Sequence, residues 1–179
     1  MRADARRNHD AVLEAGAALL AERPAASMQE IADASGVGRT TVYRHFPARE
    51  DLVAALVSRV AQDVVAVSTS ALSGDGPATE MLRRLAVDIV ALGRRWSFLR
   101  EQRDDVRAAV TESDMLFRDW VEAAQARGEL RDELPPDWVL AVTRGLITEA
   151  IEEAPTIGVD RAGQLLADTL VSLLEPRRS

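Results

Sequence analysis

An all-α fold of about nine helices is predicted for this chain of 179 residues. Three observations carry that reading. Apolar residues recur at helical spacing along almost the whole chain, and no convincing alternating strand pattern is found. Clusters of Gly, Pro and Ser interrupt the periodicity at intervals that suit helices. Charge is unevenly spread: residues 1–50 hold 7 arginines and 7 acids, while residues 51–179 hold 15 arginines and 22 acids, so the net charge of −7 lies in the second part. That asymmetry suggests two parts with two jobs, and both histidines, His9 and His45, fall in the first.

Val12, Leu13, Gly16, Leu19 and Leu20 line one face of a first helix, roughly 4–22, which Pro24 closes. Ser27-Met28-Gln29-Glu30 then reads as a capping box, with Ser27 bonding the amide of Glu30 and Glu30 reaching back to that of Ser27. Behind the cap, Met28, Ile31, Ala32 and Ala34 form a short second helix. Ser35-Gly36-Val37-Gly38 breaks it, with Gly36 suited to a left-handed cap. A third short helix runs from Arg39 to His45, and Pro47 ends it, since the residue before a proline avoids helical geometry. Leu52, Leu56, Val60, Val64 and Val67 stripe a long fourth helix, about 48–72. Ser73-Gly74-Asp75-Gly76-Pro77 is the strongest loop signal in the chain. Met81, Leu82, Leu85, Ile89, Leu92 and Trp96 mark a fifth helix, and weaker breaks near Ser97 and Ser113 predict a sixth and a seventh, ended by Gly128. Pro135-Pro136 opens an eighth, to about Glu153, and Pro155 with Gly158 separates a ninth, about 160–174.

Composition narrows the function classes. Hydrophobic residues make up 47%, enough for a sizeable core. A net charge of −7 by itself argues against a nucleic-acid binder. The absence of cysteine excludes a disulfide framework and a Cys-based zinc site. No apolar run approaches the roughly 18 residues of a membrane span, and MRADARRNHD has no apolar signal core behind it. The expectation is a soluble cytoplasmic protein that does not use a membrane. No Gly-rich phosphate loop, nucleophile elbow or metal-ligand cluster stands out, and His9 with His45 lacks ligand spacing. Neither catalysis, nor a cofactor, nor a metal is expected.

The second and third helices, joined by a four-residue turn containing glycine, describe a helix-turn-helix. In that motif the second helix enters the major groove of DNA and its N-terminal residues meet base edges. Gly38 leaves room for close backbone approach, Arg39 can fork onto guanine, and Thr40 or Thr41 can donate to a base or touch a thymine methyl. Tyr43, Arg44 and His45 can reach phosphates, which position the protein without reading sequence. Val42 and Phe46 are expected to face inward.

Residues 31–52, IADASGVGRTTVYRHFPAREDL, resemble the DNA-binding segment of the TetR family of transcriptional regulators. Ile31-Ala32, Gly36-Val37, Tyr43, His45-Phe46 and Arg49-Glu50-Asp51-Leu52 match that pattern in order and spacing. The sequence departs from it at Glu22-Arg23-Pro24, where the family has a glycine at the end of the first helix. The resemblance implies a helix-turn-helix DNA-binding domain over 1–48 and a helical ligand-binding and dimerisation domain over 49–179, with the fourth helix as connector. It implies that Gly38, Arg39, Thr40 and Thr41 face bases and that Tyr43, His45 and Arg49 bind phosphates.

The same resemblance implies a small-molecule effector and a homodimer. Trp96, Phe98, Met115, Phe117 and Trp120 lie on middle helices that would enclose a ligand, although apolar residues at such spacing also make ordinary core. Val139, Val142, Leu146, Ile147, Ala150 and Ile151 widen the apolar face of the eighth helix, and Leu165, Leu166, Thr169, Leu170, Leu173 and Leu174 that of the ninth. Two such helices from each subunit can form a four-helix bundle. The expected function is a repressor that binds operator DNA as a dimer and is released by an effector. The alternative is a helical small-molecule-binding or interaction protein with a vestigial DNA-reading head.

Overall fold

The computed structural model describes residues 2–176 and contains, among them, nine α-helices, one short 3-10 segment and no strand. In order these are α1 (Arg2–Glu22), α2 (Met28–Ser35), α3 (Arg39–His45), α4 (Arg49–Leu72), α5 (Ala78–Arg95), the 3-10 segment Ser97–Gln102, α6 (Arg103–Ala109), α7 (Thr111–Ala126), α8 (Pro136–Ile157) and α9 (Val159–Leu174). The helices form two compact units. One is the chain up to Val60 together with Trp96–Val106; the other is Ala61–Arg95 with the chain from Arg107 onward. The first unit therefore takes in the N-terminal half of α4 and a segment near residue 100, beyond the limit at residue 48 read from the sequence.

Two expected breaks fall elsewhere. Pro155 lies inside α8, which runs on to Ile157. A proline in the last turn removes one backbone bond without forcing the chain out of the helix, and Gly158, at φ 92, makes the turn. The break before α7 falls at Val110 rather than Ser113. Ser113 is buried within α7, where its hydroxyl bonds that of Ser68 at 2.7 Å. α4 is long and apolar enough to cross a membrane by length and composition alone, although no uninterrupted apolar run is present. Arg59 and Asp63 interrupt it, and Leu52, Leu56, Val57 and Val60 are buried in protein.

The first unit has its own core. Val12, Leu13, Ala17 and Leu20 of α1 meet Ile31 and Ala32 of α2, Val42 of α3 and Leu52 and Leu56 of α4, all buried. Gly16 faces this core: a Cβ there would make ordinary contact with a Leu52 methyl at 3.4 Å and with Ile31 at 3.6 Å. Burying each such Val or Leu side chain contributes about 1.5–3 kcal/mol.

In the second unit α5 packs most extensively against α9 and also against α8, while α7 packs on α8. Its core runs through Leu82, Val90, Val121, Val139, Leu170 and Leu174. The α7–α8 loop is tied down by Gln125, whose side-chain amide donates to the carbonyls of Arg131 and Leu134 at 2.9 and 2.8 Å.

Candidate nucleic-acid interface

Local chemistry builds the helix-turn-helix. Ser27 caps α2 with both halves of a capping box: its Oγ accepts from the Glu30 amide at 3.3 Å and its amide donates to Glu30 at 2.8 Å. Gly36, at φ 67, takes the left-handed conformation that ends α2, which costs a side-chain-bearing residue strain. The Ser35 hydroxyl bridges the Ala32 carbonyl and the Val37 amide and stiffens the turn. α3 then starts at once, its first bonds running from Thr41 and Val42 to the Gly38 carbonyl.

The apolar and polar faces of α3 separate cleanly. Val42 and Phe46 are 0% and 2% exposed. Gly38, Arg39, Thr40, Tyr43 and Arg44 are exposed, and Thr41 is half-buried. At Gly38, φ is −56 and a Cβ would meet nothing within 4 Å, so the fold does not require glycine there. Asp33, on the exposed side of α2, accepts from Nε and Nη2 of Arg39 at 3.2–3.3 Å.

One expected phosphate ligand, Arg49, is bonded inside the unit. The guanidinium of Arg49 donates to the carbonyl of Pro24 at 2.6 Å and to that of Ala26. It thereby holds the α1–α2 turn, which the Arg23–Glu30 ion pair at 2.7 Å braces from outside. This turn needs no glycine, because none of its residues takes a positive φ. Asp51 accepts from the Ala48 amide at 2.9 Å at the start of α4, and Leu52 is fully buried. The Arg49-Glu50-Asp51-Leu52 stretch is therefore a cap and a tether.

His45 lies beside His9, ring centroids 5.9 Å apart in a T-shaped contact, and Phe46 lies 5.0 Å from His9. Its Nε2 is buried with no hydrogen-bond partner among the described residues. Tyr43 and Arg44 are the members of the expected phosphate-binding set that stand exposed. No group of three or more His, Cys, Asp or Glu side chains that could hold a metal is found among the described residues.

Residues 12–56, which span this motif, match the family model described as bacterial regulatory proteins, tetR family. The HTH-type transcriptional repressor LfrR of Mycolicibacterium smegmatis is 33% identical over 152 residues, covering 83% of this chain and 79% of that one. The chain belongs to the TetR family. Among solved structures, the TetR-like regulator LfrR from Mycobacterium smegmatis in complex with proflavine matches with a TM-score of 0.75 and 27% identity, over 93% of this chain and 96% of that one. FadR of Bacillus halodurans, a fatty acid degradation regulator, shares the fold with a TM-score of 0.73 at 17% identity, over 90% and 97% of the two chains. This TetR-family chain is a DNA-binding transcriptional regulator.

The residues expected around a ligand fall into separate groups in this TetR-family chain. Trp96 and Phe98, ring centroids 5.8 Å apart, belong to the first unit. Phe117 and Trp120, 6.0 Å apart, belong to the core of the second, and Met115 is exposed. Of the residues expected at a dimer surface, Val139, Leu166 and Leu170 are buried in the core of the second unit, and Val142, Leu146 and Ile147 are half-buried. Leu165 and Thr169, expected on the same face of α9, are exposed, and Trp138, Ala141 and Gly145 are exposed on α8.

Sequence reasoning looked for aromatics and missed a set of buried polar groups. Thr143 is 2% exposed and its hydroxyl has no hydrogen-bond partner among the described residues. Next to it, Arg144 donates to Asp114 at 2.9 Å while its Nε is buried and unpartnered. The signal was present: Thr143 interrupts an otherwise apolar stripe on α8 running Val139, Leu146, Ile147 and Ala150.

Proposed function

We propose that this TetR-family regulator is a homodimeric repressor whose α3 reads operator DNA and which a small-molecule effector releases. The observation that carries the reading is the division of α3 into a buried Val42–Phe46 side and an exposed side of Gly38, Arg39, Thr40, Tyr43 and Arg44. Arg39 and the threonines meet base edges, and Tyr43 and Arg44 hold phosphates. The open space over Gly38 favours close approach of the duplex. Arg49 supports the head, since it bonds the α1–α2 turn, and His45 packs on His9 with its Nε2 left without a partner. The acidic remainder of the chain, which carries the whole net charge, repels the duplex and leaves contact to the head.

The test begins with selection of bound sites from random-sequence duplexes. Arg39→Ala should then cost about 1–3 kcal/mol on the selected site and relax preference at one position. Tyr43→Phe should weaken selected and mixed-sequence duplexes alike. An unchanged preference in Arg39→Ala removes Arg39 from base reading. Failure to bind any duplex in a salt-sensitive way favours the vestigial-head alternative.

Release requires an effector that binds one of two arrangements better than the other. LfrR is a repressor seen with proflavine, which makes a compound of that kind the first to try. Thr143 is the group we assign to the effector, because a buried hydroxyl without a partner costs free energy that a bound acceptor or donor repays. An effector should perturb tryptophan emission and weaken operator binding, and operator DNA must weaken its affinity by the same factor. Thr143→Val should lower affinity for the compound while leaving DNA binding intact. A compound that shifts emission but leaves operator affinity untouched is not the effector.

A further inference from the structure

Asp33 holds Arg39 by one particular edge. Nε of the arginine donates to Oδ1 at 3.3 Å, and Nη2 donates to Oδ1 and Oδ2 at 3.2 Å each. Both side chains are more than half exposed, at 56% and 58%. Water screens a pair of that kind, so it adds little to stability. Its consequence is orientation.

A guanidinium carries five N–H donors in a planar fork. Nε–H and one Nη2–H make up the side edge, and Asp33 occupies it. The end edge, one N–H each from Nη1 and Nη2, takes no part in the pair. Two parallel donors at that spacing match O6 and N7 of guanine. Left alone, a long arginine on an exposed first turn samples many rotamers and loses that freedom on binding. Clamped by Asp33, it offers its end edge already set. The carboxylate also repels phosphates wherever the backbone passes, and that repulsion acts on every duplex regardless of sequence.

We propose that Asp33 is a specificity-determining positioning residue, which aims the end edge of Arg39 at guanine and weakens binding to DNA that offers no such partner. This rests on the reading that Arg39 meets a base. Positioning strengthens binding to the selected duplex alone, whereas repulsion weakens binding to every duplex, so the role is measurable as a ratio of affinities. Asp33→Asn in the full-length protein should bind a mixed-sequence duplex more tightly. Its ratio of affinities for a selected duplex over a mixed-sequence duplex should fall about three- to tenfold, part of the roughly five- to 150-fold that a whole bidentate arginine–guanine contact gives. Preference for guanine should relax at the same position that Arg39→Ala affects. In an Arg39→Ala background, Asp33→Asn should lower the ratio no further. Thermal unfolding of Asp33→Asn should match the parent protein.

If Asp33→Asn tightens both duplexes equally and leaves the ratio unchanged, the carboxylate is only a like charge near DNA and the proposal is overturned. If Arg39→Ala itself leaves base preference intact, base reading by Arg39 fails and the role of Asp33 fails with it. If Arg39→Ala relaxes the preference and Asp33→Asn does not, only the positioning role is lost.

Discussion

Glu30 accepts hydrogen bonds from the Ser27 amide and hydroxyl and from Arg23. These hold its carboxyl below the ordinary carboxylate range, the Ser27 backbone bond contributing most, the Ser27 hydroxyl next and Arg23 less. A carboxylate whose folded pKa is depressed stabilises the fold above its unfolded pKa and loses that contribution as pH falls through the folded value. The cap of α2 should therefore be fully effective at neutral pH and weaken under acid, below the ordinary value of about 4.3. Glu30→Gln should lower the midpoint of thermal unfolding at neutral pH and leave less of a drop under acid. Unfolding curves of the two proteins between about pH 3 and pH 7 check this, and parallel pH profiles would remove the cap from the account. Arg49 makes a similar point about residue roles. Its charge suggests a phosphate, and two of its five N–H donors already go to backbone carbonyls of the α1–α2 turn.

Between elements, two glycines on α5 and α9 face different neighbours. A Cβ at Gly163 would lie 3.0 Å from the Cα of Val87, and a backbone atom cannot turn aside. A Cβ at Gly93 would come within 2.1 Å of Ile151 Cδ1 and 2.6 Å of its Cγ1, shorter distances but to a half-buried side chain that can swing to another χ1 rotamer. Alanine in a helix gains about 1 kcal/mol over glycine in propensity. At Gly93 this gain offsets much of the repacking. At Gly163 the separation of α9 from α5 should dominate, with a net loss of about 1–3 kcal/mol. Urea unfolding should thus find Gly163→Ala clearly less stable than Gly93→Ala. The reverse order would mean that α9 can slide along α5 without cost.

For the whole molecule, the proposed dimer needs a face that a second copy can cover. Leu165 is 41% exposed on α9, whereas Leu170 is 1% exposed and faces the core. Leu165, Thr169, Ser172 and Leu173 line a shallow groove on the outer side of α9, with Arg131 and Asp168 at its border. If this face joins two copies, Leu165→Arg should give a folded monomer with unchanged helical content. Leu170→Arg should instead unfold the second unit, because an unpaired charge would be buried. Sedimentation at micromolar concentration with circular dichroism separates the two outcomes. A Leu165→Arg protein that still sediments as a dimer would move the interface elsewhere. The monomer should also lose most of its operator affinity, since two half-sites would no longer be held at one spacing.

Much of this molecule could be read before any coordinates. The capping box at Ser27, the left-handed Gly36, the bounds of α3 and the inward Val42 and Phe46 were all legible. Each depends on residues within about one helical turn, where amide geometry and side-chain spacing act directly. The reading surface followed, because a short helix with one buried side presents the rest to solvent. Other features rest on residues distant in sequence. Arg49 reaches carbonyls of residues 24 and 26, Asp33 takes an edge of Arg39 from another helix, and Trp96 and Phe98 join the head rather than Phe117 and Trp120. Leu166 and Leu170 share one apolar period with Leu165 and Leu173, so periodicity alone could not assign the side that α5 covers. The sequence by itself determined the number and order of the helices, most of their bounds and the helix-turn-helix that α2 and α3 form. Only the tertiary structure decided which apolar face is already covered and which charged groups are already paired, because burial and pairing depend on neighbours that folding brings from far along the chain.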